Sequence, residues 1–354
     1  MKRRRCLEAL LATSLLAACS PRPPADGRTL LRVSAVTVPN TPWYEMWRRF
    51  GERLASAQAE IDCQLFIRSQ LGSEEVALSN LRRGRVQMGG FSLQGAASVV
   101  PELNLILAPF LFDSAAEVDY VMDHWLSSLF AELLAARGLH FVQWAEVGWT
   151  HLYGKQPLVD PAQLAGQRMR SSTATGARLF AEAAGMDLIS IPFPEVVPAL
   201  QTGLIDGGQS GVGMYALAGI AREARHLSLT AHAFDTGLVL ANRDWWRGMS
   251  AHRQGLVRAA LDDVETSRRD VRAAMQQIES KMLAELGVSV HRPTPAQLEA
   301  WRQLAAPTHA RLVEVIGGRA AEVYARIQAA KTAFRERCID RERTDQAGCS
   351  APVA

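Results

Sequence analysis

The chain has 354 residues, 48% of them hydrophobic and 21% charged, with 39 basic against 36 acidic side chains. That length suits two domains of ordinary size. The whole +3 surplus sits in residues 1–18, where Lys2, Arg3, Arg4 and Arg5 face one acid, Glu8; beyond them 35 basic groups balance 35 acidic ones, so no electrostatic case for a nucleic-acid partner remains.

Those first residues read as a secretory signal. A basic start is followed by an apolar run, Leu7 to Ala18, too short to span a bilayer as a helix. The run ends Leu16-Ala17-Ala18-Cys19, which resembles the bacterial lipoprotein box. That resemblance implies cleavage before Cys19 and a lipid on its thiol. One acyl chain holds a membrane only marginally, so Cys19 is expected to be multiply acylated. Residues 19–30 follow as a tether, stiffened by Pro21, Pro23 and Pro24.

Strand-like and helix-like segments then alternate. Strands are predicted at Leu31 to Thr37, Cys63 to Arg68, Val86 to Gly89, His140 to Glu146, Arg168 to Arg170, Leu188 to Ile191 and Phe234 to Ala241. Helices fall between them: Trp43 to Leu54, then Glu74 to Arg83 with Ser73 as N-cap and Gly84 at its end. The alternation predicts an α/β architecture. One nine-residue pattern, Leu-x-x-Gly-x-(Val/Ile)-x-x-Gly, occurs at 81–89 and again at 200–208. Each copy closes a helix at a glycine and feeds a short strand. Two similar units predict two lobes, and a cleft between lobes is where small ligands bind. Farther on, Val257, Leu261, Val264, Val271, Met275, Ile278, Met282 and Leu286 recur at helical spacing. They predict one helix of about 50 Å that braces both lobes, with a coiled-coil dimer as the competing reading.

Motifs of chemistry are few. Gly208-Gln209-Ser210-Gly211-Val212 approaches the nucleophile elbow Gly-x-Ser-x-Gly but ends in valine; Asp235 and His252 would complete its triad order. Gly211-Val212-Gly213 is similar to a dinucleotide loop but sits in mid-chain. The eight histidines and the cysteines show no metal spacing, and no cofactor is expected. Cys338 and Cys349 either pair in an oxidising compartment or stay as two free thiols. Arg170 stands out, because it ends a strand just before a Ser/Thr-rich loop and a helix start. A guanidinium beside free backbone N–H groups suits a carboxylate.

The series Ser69-Gln70-Leu71-Gly72-Ser73-Glu74-Glu75, Leu107-Ala108-Pro109-Phe110-Leu111-Phe112, Leu164 to Arg170, Ile191-Pro192-Phe193-Pro194-Glu195-Val196 and Ala199 to Gly207 resembles the substrate-binding proteins of TRAP transporters, the dicarboxylate-binding DctP type. The resemblance runs in order from about Leu31 to Arg335. It implies a two-lobed periplasmic binding protein of the Venus-flytrap, type II-like form, with a long helix spanning both lobes. The division expected is a signal at 1–18, the tether at 19–30, lobe I from 31–148 with about 233–270, lobe II from 149–232 with about 271–337, and a tail at 338–354. The family closes its lobes on an organic acid, performs no chemistry on it, and delivers it to a permease of small and large membrane subunits.

Residue by residue, the resemblance implies that Arg170 is the main carboxylate contact and Phe193 packs on the ligand. Ser210, beside Gln209, stands where many members carry an asparagine. Thr150, after Trp149, stands where many carry a second arginine. Trp149, Phe91, Phe193, Met214 and Tyr215 are candidates for an apolar wall. One arginine kept and one lost point to a monocarboxylate, since a second buried charge would lack a partner. A sensor that hands its ligand to a signalling partner is the second function class, and a hydrolase using Ser210 the third.

Overall fold

The computed structural model describes residues 28–57, 60–171 and 175–343. The signal at 1–18, Cys19 and the proline-rich residues 21–24 lie outside the described residues. Nine strands form one sheet: β1 Thr29–Ala35, β2 Ile61–Phe66, β3 Met88–Ser92, β4 Leu139–Gly154, β5 Arg168–Ser171, β6 Asp187–Ser190, β7 Gly207–Gly211, β8 His226–Asn242 and β9 Ser289–His291. Their order is β2-β1-β3-β8-β4-β7-β5-β6, with β9 on β8. The order reads alike from both edges. β1 pairs in parallel with β2 and β3, and β5 pairs in parallel with β6 and β7. β3 and β7 join antiparallel to the central pair, β8 and β4. Each outer group of three strands is one lobe, and two long strands run through both.

Those two strands were legible only in part. The predicted segments, His140 to Glu146 and Phe234 to Ala241, are pieces of strands of 16 and 17 residues. Phe141/Gln143, Glu146/Gly148 and Thr150/Leu152 mark register shifts, and Gly148 has φ +109°. Bulges of this kind interrupt the period-2 alternation by which a strand is recognised.

The helices used below are α1 Pro42–Ser56, α2 Glu74–Arg82, α3 Ala115–Val121, α4 Ser127–Ala136, α5 Thr175–Ala183, α6 Val196–Thr202, α7 Val212–Leu217, α8 Ala251–Ala260, α9 Val264–Gln277, α10 Pro295–Ile316 and α11 Ala320–Arg343. The hydroxyl of Thr41 accepts from Tyr44 N at the start of α1, Pro42 opens it, and Met46, Trp47, Phe50 and Leu54 form its buried face. Ser73 has N-cap backbone at α2, but its side chain makes no capping bond there. The two repeated patterns fold alike: α2 ends before Gly84 at φ +71° and leads to β3, and α6 ends at Gly203 at φ +72° and leads to β7.

The predicted brace is not one helix. It breaks at 261–263, where Leu261 adopts extended backbone and Asp263 caps α9 by accepting from Thr266 N. Asp262 supplies the reason. Its carboxylate is 4% exposed and is held by Arg49 at 2.6 Å and Arg53 at 2.7 Å, both from α1. The apolar spacing runs across this break because Val257 and Leu261 pack on the lobe I core and Ile278 on the lobe II core. The unbroken part, α9 with a π-turn at Ile278–Met282 and a last turn to Glu285, spans about 33 Å at 1.5 Å per residue. It still bridges both lobes, touching α1 on one side and α7 on the other.

The C-terminal helices depart from the expected division. α11 runs past Cys338 to Arg343, into the stretch expected as tail. Its Val323, Ile327 and Ala330 join the lobe I core with Leu103, Val118 and Met122, although 271–337 was expected with lobe II. Cys338 is disulfide-bonded and Cys63 is a free thiol; Cys349 lies outside the described residues. Among the described residues no helix is long and apolar enough to cross a membrane.

Candidate functional site

The two lobes and the two through-strands meet at a cavity of about 190 Å³. One water needs only about 10–15 Å³ of such space, so a small organic molecule fits. β1, α1, α2 and β3 line it from lobe I, and β5, Phe193, β7 and α7 from lobe II, while β4 and β8 form its floor. Arg170, Phe193, Ser210, Thr150, Gln209, Phe91 and Met214 all line this cavity. Seven positions singled out along 124 residues of sequence thus meet at one place.

Arg170 lies near the end of β5, and its Nε donates to the Ile191 carbonyl at 3.2 Å. Its guanidinium carbon stands 6.0 Å from the centroid of the Phe193 ring, which steadies the cation against an aromatic face. Burial pulls its pKa down, opposed by Tyr153, Glu75 and Glu74. The approach of β7 to this arginine needs Gly208: a Cβ there would collide with the Tyr153 hydroxyl and sit 3.2 Å from Arg170 Cβ. The second glycine of the repeated pattern therefore has a packing reason. Thr150, 4% exposed, faces Gly211 across the β4–β7 pair. Gln209 Oε1 lies 2.8 Å from His232 Nε2, whose ring stacks on Phe180. Burial drives the His232 pKa down to about 3, so this ring is neutral and donates to Gln209.

Two expected wall residues are elsewhere. Tyr215 is fully buried, stacks on Tyr153 and donates its hydroxyl to the Ala224 carbonyl at 2.6 Å. It is on the core side of α7, while Met214 turns to the cavity. Trp149 packs edge-on against Phe234 in the lobe I core, because successive residues of β4 point to opposite faces and Thr150 takes the cavity side. The triad is not assembled either: Ser210 and Asp235 line the cavity, but His252 is exposed on α8.

Other lining residues were not singled out as ligand contacts. Trp43 lines the cavity and donates Nε1 to the Glu146 carbonyl at 2.7 Å, tying α1 to β4. Trp47 and Met46 lie beside it. On an amphipathic helix such residues read as core, and nothing in the sequence separates the two roles. Glu74 accepts from Ser92 N and, at 2.7 Å, from Ser92 Oγ, and burial pushes its carboxyl up to about 7. Asp235 on β8 is 7% exposed; burial first, and Glu74 second, push it up to about 7. An acid inside the mostly apolar segment Phe234 to Ala241 is a usable signal. Among the described residues no cluster of His, Cys, Asp or Glu is placed to hold a metal ion.

The chain matches the bacterial extracellular solute-binding protein family 7, DctP, over residues 33–315. It is 28% identical over 246 residues to the 2,3-diketo-L-gulonate-binding periplasmic protein YiaO of Escherichia coli (69% of this chain, 75% of that protein). To the C4-dicarboxylate-binding periplasmic protein DctP of Rhodobacter capsulatus it is 24% identical over 333 residues, covering 93% of this chain and 99% of that one. A TRAP periplasmic solute-binding protein from Shewanella oneidensis, solved with bound succinate, has the same fold at TM-score 0.80 and 20% identity, over 86% of this chain and 99% of that one. The family match takes in both lobes and the bridge between them, and the chain is therefore a member of solute-binding protein family 7, the DctP family of TRAP transport systems.

Proposed function

We propose that this chain captures a small monocarboxylate in its inter-lobe cavity through Arg170 and delivers it, chemically unaltered, to a TRAP permease of small and large membrane subunits. The observation that carries the reading is that Arg170 is the one basic side chain among the described residues lining the cavity. Thr150 offers no second cation, and a second carboxylate buried there would have no partner. Phe91, Phe193, Met214 and Trp43 also line the cavity and suit an apolar or aromatic body. Calorimetric titration against a panel of acids tests this. Monocarboxylates with apolar bodies should bind more tightly than succinate or malate; tight binding of those two with no response to monocarboxylates would reject it.

The lobe boundaries in this reading fall within the through-strands, near 148/149 and 232/233, with α11 counted in lobe I. The protein works in the periplasm on a lipid anchor at Cys19, with residues 21–24 as its leash. Metabolic labelling with a radioactive fatty acid should mark the wild-type chain and not the Cys19→Ala variant. Equal labelling of both would leave the transport reading standing and remove the anchor.

A further inference from the structure

We propose that the ligand is a zwitterion, its carboxylate held at Arg170 and a protonated amine held at Asp235. This deepens the carboxylate reading above and rests on it.

The first observation is the balance of charge. The charged side chains lining the cavity, among the described residues, are Arg170 and three acids, Glu74, Glu75 and Asp235. Burial holds the Glu74 and Asp235 carboxyls up to about 7, so above that pH a bare carboxylate would bring one more negative charge to a site short of positive ones, whereas an ammonium group offsets it and favours the ionised Asp235. The second observation concerns one atom. Glu74 has its oxygens occupied by Ser92 N and Ser92 Oγ. The Asp235 carboxyl takes backbone hydrogen bonds from Thr236 and Leu93, yet its Oδ1 is buried and has no hydrogen-bond partner among the described residues, although Asp235 lines the cavity and is only 7% exposed. Buried polar atoms are nearly always paired, and a carboxylate oxygen can only accept. Asp235 thus keeps one unfilled acceptor at the cavity wall, for a donor that a ligand supplies. The third is the wall. Trp43 and Phe91 line the same cavity, and aromatic faces attract a cation where water is excluded. Arg170 and Asp235 are on different elements, β5 and β8, so a ligand with separated charges engages a lobe II strand and a through-strand together.

The test uses two pairs of probes that differ by one amine: leucine against 4-methylpentanoate, and phenylalanine against 3-phenylpropanoate. By calorimetry at pH 8, the amino acid of at least one pair should bind at least tenfold more tightly than its deaminated partner. Asp235→Asn should abolish that preference, and Arg170→Lys should weaken both members. If the deaminated acids bind as tightly and still depend on Arg170, the zwitterion inference fails and the carboxylate reading survives. If the amino acids bind without dependence on Arg170, the carboxylate reading fails, and with it this inference. No binding by any of the four also overturns the inference. A second readout needs no ligand. The Asp235 carboxyl is raised to about 7, so its ionisation penalises the free folded state progressively as pH rises from about 4 to above 7, with Glu74 the acid that faces it from α2. The melting temperature of ligand-free Asp235→Asn should exceed wild type at pH 8, with the gap closing toward pH 4. A variant less stable than wild type at pH 8 would show that Asp235 has a structural partner, and would reject the proposal.

Discussion

Arg170→Ala is expected to weaken a carboxylate ligand by about 2–5 kcal/mol, roughly 30- to 5,000-fold in Kd. The size follows from where the charge sits. The guanidinium is drawn from water far enough for burial to lower its pKa, and it lies against the Phe193 ring. Truncating it would leave the ligand carboxylate desolvated and unpaired, which costs more than the pair itself contributes. The loss should appear chiefly in the dissociation rate. Arg170→Lys should fall between, because an ammonium keeps the charge and loses the planar fork. The fold should survive, since among the described residues the Arg170 side chain donates one hydrogen bond to the protein, to Ile191 O. Calorimetry with a urea melt of the same sample checks both points. Unchanged affinity in a folded Arg170→Ala protein would take Arg170 out of the site.

Lys331→Ala should cost about 3–5 kcal/mol of folding stability, read from urea denaturation. Lys331 on α11 is 5% exposed and reaches Glu117 of α3, itself 2% exposed, at 3.0 Å. Its Nζ also donates to the Leu111 carbonyl. Glu117 accepts from Asp113 N at 2.8 Å. Removing the ammonium leaves a buried carboxylate without its cation. Replacing both partners, Lys331→Met with Glu117→Gln, should recover much of the loss, which separates the stranded charge from lost packing. A cost under about 1 kcal/mol for the single variant would show that α11 docks on lobe I through its apolar face alone.

Much of the site could be read from sequence because its parts are marked by residue type. A glycine that ends a helix at positive φ leaves a signature, and so Gly84 and Gly203 exposed the repeat. Arg170 could be found because it ends a strand just before a Ser/Thr-rich loop and a helix start, and because the family resemblance implies a carboxylate contact at that position. The misses have a common cause: each depends on which side of an element faces the cavity. Met214 and Tyr215 are neighbours on α7, yet one lines the cavity and the other fills the core. Thr150 and Trp149 divide in the same way on β4. Trp43 and Trp47 share one helix with Phe50 and Leu54, and periodicity gives all four the same meaning. The break at 261–263 was hidden because an ion pair from another helix, Arg49 and Arg53 to Asp262, decides it. Hydrophobic spacing carries no trace of such a tertiary contact.

The palindromic strand order has a mechanical consequence. Because β4 and β8 pass through both halves of one sheet, the halves are not two bodies on a slack string. Any change in the angle between them must be taken up as flexure of two paired strands, and the ladder resists that wherever its pairing is regular. Compliance is left where the register slips, at Phe141/Gln143, Glu146/Gly148 and Thr150/Leu152, and the last two of these points flank the cavity floor. The molecule therefore behaves as a leaf spring notched at its middle, and the residues that give way under load are neighbours of those that meet the ligand.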